Sequence, residues 1–489
     1  MSFDKPTRNK LASMVSDCRR LLTDDIRHQL QAVYGLQPDG TALPVSSLSH
    51  LDERGREVAS ALRHWQEHLA STEAGTETQK RNVAFDRLAH ETAFTVLNRL
   101  AALRMCEERG HVIECVRRGM ESDGFVLYER FSEGVLGGRG ETYRIFLERM
   151  FAELSVDLGA LFDLDAPQSL VFPRQRCLEQ VLLLLNRADL AHLWKEDETI
   201  GWIYQYFNSK EEREAMREAS AAPRNSRELA VRNQFFTPRY VVEFLVDNTL
   251  GRIWYDMRQG QTALKETCHY LVRRPSEIFL SQGQQTPLSA DAREDLSHDE
   301  LVKHPVYIPY RAKRDPRTIK ILDPAVGSGH FLLYAFDLLE AIYQEAWEET
   351  NQPTFEATGK TIREEYADLN TLRIALPELI LRHNLHGIDI DLRACQIAAL
   401  ALWLRAQQAY QRLALKTADR PKITRSNIVC AEPMPGEHEL LDQFLIELQP
   451  KVIGQLVQAV FEKMKLAAEA GSLLKIEEEI AEEVADAKQ

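Results

Sequence analysis

Residues 318–340 read TIKILDPAVGSGHFLLYAFDLLE, and this stretch decides the fold class. Thr318–Leu322 predicts a short strand ending in Asp323-Pro324. Gly327-Ser328-Gly329 predicts a tight turn, and a helix follows from about 330. Glycines at 327 and 329 let the chain turn and let its backbone approach a ligand where a Cβ would clash. The N-terminus of the helix offers free N–H groups and partial positive charge, which suits a carboxylate or a phosphate. A G-x-G turn alone is weak evidence, because any tight strand-to-helix connection can produce one.

The same logic recurs downstream. Leu385–Ile388 predicts a second strand, tipped by Asp389 and followed by Ile390 and a helix over 393–409. Ser426–Cys430 predicts a third, closed by Ala431-Glu432-Pro433. Strands alternating with helices indicate a parallel, doubly wound α/β sheet. A carboxylate at Asp389 can accept both hydroxyls of a ribose, Ile390 can lie flat on an adenine, and Glu432 can accept its exocyclic amine. The 66 residues from Asp323 to Asp389 far exceed the roughly 20 of dinucleotide folds. Residues 340–380 are therefore expected to be an insertion.

The chain has 489 residues, 44% of them hydrophobic and 27% charged, with a formal net charge of −14. That suffices for real cores and excludes a wholly disordered protein. No apolar run is long enough to span a bilayer, and MSFDKPTRNK carries no secretory apolar region. Seven scattered cysteines, none spaced C-x-x-C, argue against a disulfide framework or zinc knuckle and predict a cytoplasmic setting. Cys395 and Cys430 read as small buried apolar residues that could be near one another. The acidity is local. Residues 331–381 hold ten acidic and three basic residues, whereas 302–320, VKHPVYIPYRAKRDPRTIK, holds six basic and one acidic. Arg311, Lys313, Arg314 and Arg317 in that stretch, beside the cofactor motif in sequence, predict a contact to a DNA backbone. His383 and His386 lack a third ligand at metal spacing, so no metal site is expected.

Upstream, residues 81–108 place Phe85, Leu88, Phe94, Leu97, Leu100 and Leu103 at helical spacing. Residues 143–163 and 176–187 continue in that manner. The reading is a helical domain over 1–207, an exposed polar connector over 208–233, an α/β core over 234–450 with insertions near 255–315 and 340–380, and an acidic helix over 451–489. Residues 282–300 read as a loop.

Asp323-Pro-Ala-Val-Gly-Ser-Gly329 resembles the D-P-A-C-G-S-G cofactor motif of the DNA adenine-N6 methyltransferases, with Val326 in place of the usual cysteine. Gln234-Phe-Phe-Thr-Pro-Arg-Tyr240 resembles the F-x-T-P turn that precedes it in γ-ordered members. The runs LNRLAALRMCEERG (97–110) and IGWIYQYFNSKEERE (200–214) are similar to the large adenine methylases of BREX- and DISARM-type phage-exclusion systems, relatives of type IIG restriction-methylases. The resemblance covers about 80 to 440. It implies a Rossmann-like core that binds S-adenosylmethionine. Phe236, Thr237 and Pro238 would close over the methionine end, and Asp323, Pro324, Ala325, Gly327 and Gly329 would line the amino-acid moiety. Asp389 would take the ribose, Ile390 the adenine face and Glu432 the adenine amine. It also implies duplex DNA and other defence-system subunits as partners. From the residues alone, Thr237-Pro238 equally suits a helix N-cap followed by proline at the first helical position.

One element of the resemblance is missing. Adenine N6 is a poor nucleophile, and these enzymes meet it with an [N/D]-P-P-[Y/F] tetrapeptide after the fourth strand. No such string occurs in these 489 residues, so no catalytic residue is assigned. The expectation is that a further segment or a second polypeptide supplies that strand and target recognition, since otherwise the first strand would be an unpaired edge. The competing expectation is a non-catalytic S-adenosylmethionine-binding scaffold of a defence complex.

Overall fold

Parallel strands cannot be joined by a tight turn, so each pair requires a crossover, and this chain supplies helices for that purpose. In a computed structural model, residues 3–71, 73, 75–132, 137–208, 210–223, 226–234, 237–286, 304–423, 426–431, 438–449, 451–464 and 481 are described. Among them are five short strands, β1 (Glu277–Phe279), β2 (Val306–Ile308), β3 (Ile321–Asp323), β4 (Leu385–Asp389) and β5 (Asn427–Cys430). β1 and β2 form one parallel pair; β3, β4 and β5 form a second, all-parallel sheet in sequence order.

The three expected strands are thus present, with one shift. Pro316–Thr318 forms a turn of 3-10 helix, and the strand begins at Ile321. The Asp315 side chain caps this turn by accepting from the Arg317 N–H, while Asn384 Nδ2 donates to the carbonyls of Pro316 and Ile319, both at 2.7 Å.

The helix His330–Glu348 leaves β3, and Leu392–Arg412 joins β4 to β5. Between them the expected insertion proves to be partly core. After an isolated bridge between Phe355 and Lys360, the helix Leu369–Leu379 and a π-helical turn, Ile380–Asn384, lead into β4. Leu372, Leu376 and Ile380 are buried there. The acidic residues therefore decorate a working crossover.

Two compact units divide the chain: Met1–Tyr34 with Ala89–Ala431, and Gly35–Leu88 with Glu432–Gln489. In the first, helices upstream of 207 and the sheet belong together, so 207 does not separate two bodies. The reason is Leu392–Arg412, which is buried on nearly every side and packs on the helices Arg139–Phe162 and Glu198–Phe207. Its Gln396 donates to the Ala160 carbonyl at 2.8 Å, and its Arg405 pairs with both Asp197 and Asp337. The stretch read as an exposed connector contains the helices Lys210–Ala219 and Ser226–Asn233, with Met216 and Val231 buried.

The second unit contains the helix Glu53–Ser71, whose Leu62 and Leu69 are buried. It also contains the helices His438–Glu447 and Lys451–Met464, which pack on one another. Most of the acidic tail and the loop over 287–303 lie outside the described residues. Among the described residues, no helix is long and apolar enough to cross a membrane.

Candidate functional site

Asp323 ends β3, and its Oδ1 accepts from the Ala325 N–H at 3.1 Å. Its Oδ2 is buried and has no hydrogen-bond partner among the described residues. The chain then crosses to the neighbouring strand, where the Val326 N–H donates to the Ile388 carbonyl at 2.9 Å. Gly327 and Gly329 have φ of +53° and +81°, the left-handed region that other residues enter at a cost. At Gly329 a Cβ would also lie 3.3 Å from the Cα and Cβ of Ala398, because the second crossover helix passes directly beneath the turn. Gly329 occupies the N-cap position of the helix His330–Glu348.

Asp389, at the tip of β4, ties the two strand ends together. Its Oδ2 accepts from the Gly327 N–H at 2.8 Å and its Oδ1 from the Asp391 N–H at 2.9 Å. Burial pushes this carboxyl above the usual range, partly opposed by those backbone donors. Asp323 is pushed up in the same direction, chiefly by burial and additionally by the charge of Asp389. Two partly desolvated carboxylates therefore stand at neighbouring strand tips beside the glycine turn. Ile390, 38% exposed, presents an apolar surface beside them.

The Thr237-Pro238 turn is brought to the same place. The Thr237 backbone is hydrogen-bonded to His330, the first residue of the helix after Gly329. The helix Arg239–Val246 packs along His330–Glu348, and Tyr334 Oη donates to Asp247 at 2.8 Å. Thr237 is not the helix cap: Pro238 holds that position, with no side-chain cap. Pro324 and Ala325 lie in the turn itself. Phe236 and Glu432 lie outside the described residues.

Sequence reasoning missed a buried polar ring just behind this site. Asp391 caps the second crossover helix, and Arg393 Nε and Nη2 donate to its two oxygens at 2.9 and 2.7 Å. Burial opposes the charge of Asp391, but Arg393 and the hydrogen bonds outweigh it and hold the carboxyl below the usual range. Tyr204 and Asn208, from the helical segment, and Gln234 complete the ring. Cys395 and Cys430 are hydrogen-bonded neighbours, and Cys395 Sγ also donates to the Val429 carbonyl at 3.3 Å. Of the two histidines, His383 sets its ring edge-on to Phe355, and His386 Nδ1 lies 3.1 Å from the Asn384 carbonyl.

The basic stretch requires a correction. Arg317 is 2% exposed; it is bound by Asp315 and Glu365 and lies 4.3 Å over the Phe355 ring. A guanidinium so enclosed cannot reach a DNA phosphate. Lys313 pairs with Glu349 at 3.0 Å, just beyond the far end of the helix that starts at the glycine turn. At about 1.5 Å per residue, that helix spans nearly 30 Å. Arg311, Lys313 and Arg314 are exposed, but they lie at the opposite pole of the sheet from the acid-tipped strands, although the sequence places them beside the motif.

Comparison with known proteins agrees with the geometry. Residues 312–433 match the family described as MmeI, DNA-methyltransferase domain. The chain is 26% identical over 355 residues to "Adenine-specific methyltransferase BrxX" of Escherichia coli O9:H4 (strain HS), covering 68% of this chain and 25% of that protein. It is 25% identical over 445 residues to "Adenine-specific methyltransferase PglX" of Lacticaseibacillus casei (strain Zhang), covering 83% and 33%. A "Putative type II restriction enzyme and methyltransferase" of Methanocaldococcus jannaschii is 35% identical over 204 residues, covering 41% and 14%. The chain spans a quarter to a third of the length of the first two relatives. Its α/β segment thus carries the match to a DNA-methyltransferase domain, and the chain is a relative of adenine-specific methyltransferases.

Proposed function

We propose that this chain is the cofactor-binding part of a site-specific DNA adenine-N6 methyltransferase in a bacterial anti-phage defence system, built on a Rossmann-like core. The observation that carries the proposal is the pair Asp323 and Asp389 beside the glycine turn. One has a buried oxygen without a donor among the described residues, and the other is a half-buried carboxylate at a strand tip. This acidic lining fits S-adenosylmethionine, which brings an ammonium, two ribose hydroxyls and a sulfonium charge. Asp323 would accept from the ammonium, Asp389 from the ribose hydroxyls, and Ile390 would lie on the adenine face. Phe236, Thr237 and Pro238 would cover the methionine end, and Glu432 the adenine amine. The cofactor supplies an activated methyl group, and the chain's residues hold and orient it.

The acceptor half is assigned to a further segment or a second polypeptide bearing N-P-P-[Y/F], which must also hold the flipped adenine. The open edge of β3 is consistent with this. Among the described residues β3 pairs only with β4, and Leu322 and Val429 on the bare face are 58% and 57% exposed. Parallel sheets are ordinarily covered on both faces. Duplex DNA and other defence subunits are the proposed partners, in the cytoplasm. Because these 489 residues lack the tetrapeptide, a non-catalytic S-adenosylmethionine-binding scaffold is the second reading. Calorimetric titration with S-adenosylmethionine tests the shared premise: saturable binding that Asp389→Ala abolishes supports it, and no binding by the wild-type chain sinks it. Methylation of DNA, once a polypeptide with N-P-P-[Y/F] is added, separates enzyme from scaffold.

A further inference from the structure

Five residues from three distant parts of the first unit form a hydrogen-bonded circuit behind the glycine turn, closed through the Tyr204 backbone. Arg393 is held in bidentate fashion by Asp391, and its Nη1 donates to Asn208 Oδ1 at 3.2 Å. Asn208 Nδ2 donates to Gln234 Oε1 at 2.8 Å, and Gln234 Nε2 donates to the Tyr204 carbonyl at 3.1 Å. Tyr204 Oη closes the circuit by donating to Asp391 Oδ2 at 3.1 Å. Asn208 is 1% exposed, Asp391 and Arg393 are 8% exposed, and the guanidinium also lies 5.2 Å over the Phe94 ring.

Burying an ion pair is poor value as stabilisation, because desolvation offsets the attraction; its better-attested use is to fix one geometry among several. This circuit has two exits, both toward the cofactor site. On one side the Asp391 N–H donates to Asp389 Oδ1, the carboxylate assigned to the ribose. On the other, Gln234 stands three residues before Thr237, which is tied to His330 at the head of the glycine-turn helix. The circuit therefore joins the strand that would hold the nucleoside to a residue that stands, in sequence, three before the turn that would hold the methionine end.

We propose that Asn208, Gln234 and Arg393 are positioning residues that set the spacing between the nucleoside and methionine halves of the site, and that the helical segment over 198–208 is thereby part of the cofactor machinery. This rests on the S-adenosylmethionine reading above. A ligand that touches both halves senses the spacing, whereas adenosine, which touches only one, does not.

The test compares S-adenosylmethionine with adenosine as calorimetric ligands for the whole chain. Asn208→Ala and Gln234→Ala should each weaken S-adenosylmethionine about tenfold and leave adenosine within about twofold. Because both cut one circuit, the double variant should lose little beyond either single one. Asn208→Asp keeps an acceptor for Arg393, removes the donor to Gln234 and adds a carboxylate beside Asp391. It should show the same selective loss, S-adenosylmethionine about tenfold and adenosine within about twofold, a split between ligands that a purely structural role would not produce. Equal weakening of both ligands overturns the inference, as does wild-type affinity for both in every variant. A wild-type chain that binds neither ligand overturns the cofactor reading and this inference with it.

Discussion

The carboxylates at the glycine-turn end of the β3–β4–β5 sheet and the cations at its other end are satisfied in opposite ways. At the glycine-turn end, Asp323 and Asp389 are partly buried, pushed up in pKa, and Asp323 keeps a buried oxygen without a donor among the described residues. At the other end, Arg317 is enclosed by two carboxylates and a phenyl ring, and Lys313 is engaged by Glu349. A carboxylate with acceptor capacity left over, held in place by a rigid turn, has work left for a ligand; a cation enclosed by counter-ions has work only for the fold. Charge in the sequence does not distinguish the two. Satisfaction does.

The largest expected effect on binding tests the acidic end. A hydrogen bond to a charged group contributes about 1.5–3 kcal/mol, so Asp389→Ala, which removes two such acceptors, should weaken S-adenosylmethionine at least about 100-fold by calorimetry. Retention of wild-type affinity would remove Asp389 from the site. Next, breaking a buried pair typically costs about 3–5 kcal/mol. Arg317→Ala, which strands Asp315, should lower urea-unfolding stability by that order while the remaining folded protein keeps its cofactor affinity. A loss of duplex-DNA affinity at constant stability would return Arg317 to the DNA-contacting residues.

Gly329→Ala should cost about 1–2 kcal/mol of stability for its left-handed backbone alone, with the Ala398 contact in addition. The pH prediction has a definite sign. Raised folded-state values for Asp323 and Asp389 mean that the folded chain binds these protons more tightly than the unfolded one. Their contribution to stability is present below the unfolded value near 3.8 and is lost as pH rises through the raised folded value. Cofactor affinity should run the other way, rising over that same window as the carboxylates ionise. Parallel stability and affinity curves would refute the assignment. The smallest effect belongs to the basic end. Arg311→Ala with Arg314→Ala should leave S-adenosylmethionine binding unchanged and, if these residues meet phosphates, lower the salt dependence of duplex binding by at most about two charges.

The sheet was legible because each strand is a short apolar run tipped by an acid, and the turn was legible because two glycines sit where only glycine relieves the strain. The first strand was begun too early at Thr318: local β-branching suggested extension, whereas Asp315 and Pro316 cap a 3-10 turn. Arg317 was misassigned for a related reason. Its partner Asp315 stood in plain view two residues away, but Glu365 is 48 residues distant and only folding brings it near. The Asp391–Arg393 circuit was invisible because its hydrogen-bonded partners lie up to 187 residues apart. Polar residues in a helical segment announce nothing until their burial is known.

Val326 stands where the resemblance leads one to expect cysteine, and it faces Gly387 so closely that a Cβ there would lie 2.8 Å from Val326 Cγ2 and equally near Ile428 Cδ1. The three positions therefore share one fixed volume. Over evolutionary drift a side chain at 387 becomes admissible only where 326 and 428 have both given way. A family tree of this segment should show a residue other than glycine at 387 only together with smaller or displaced side chains at the other two.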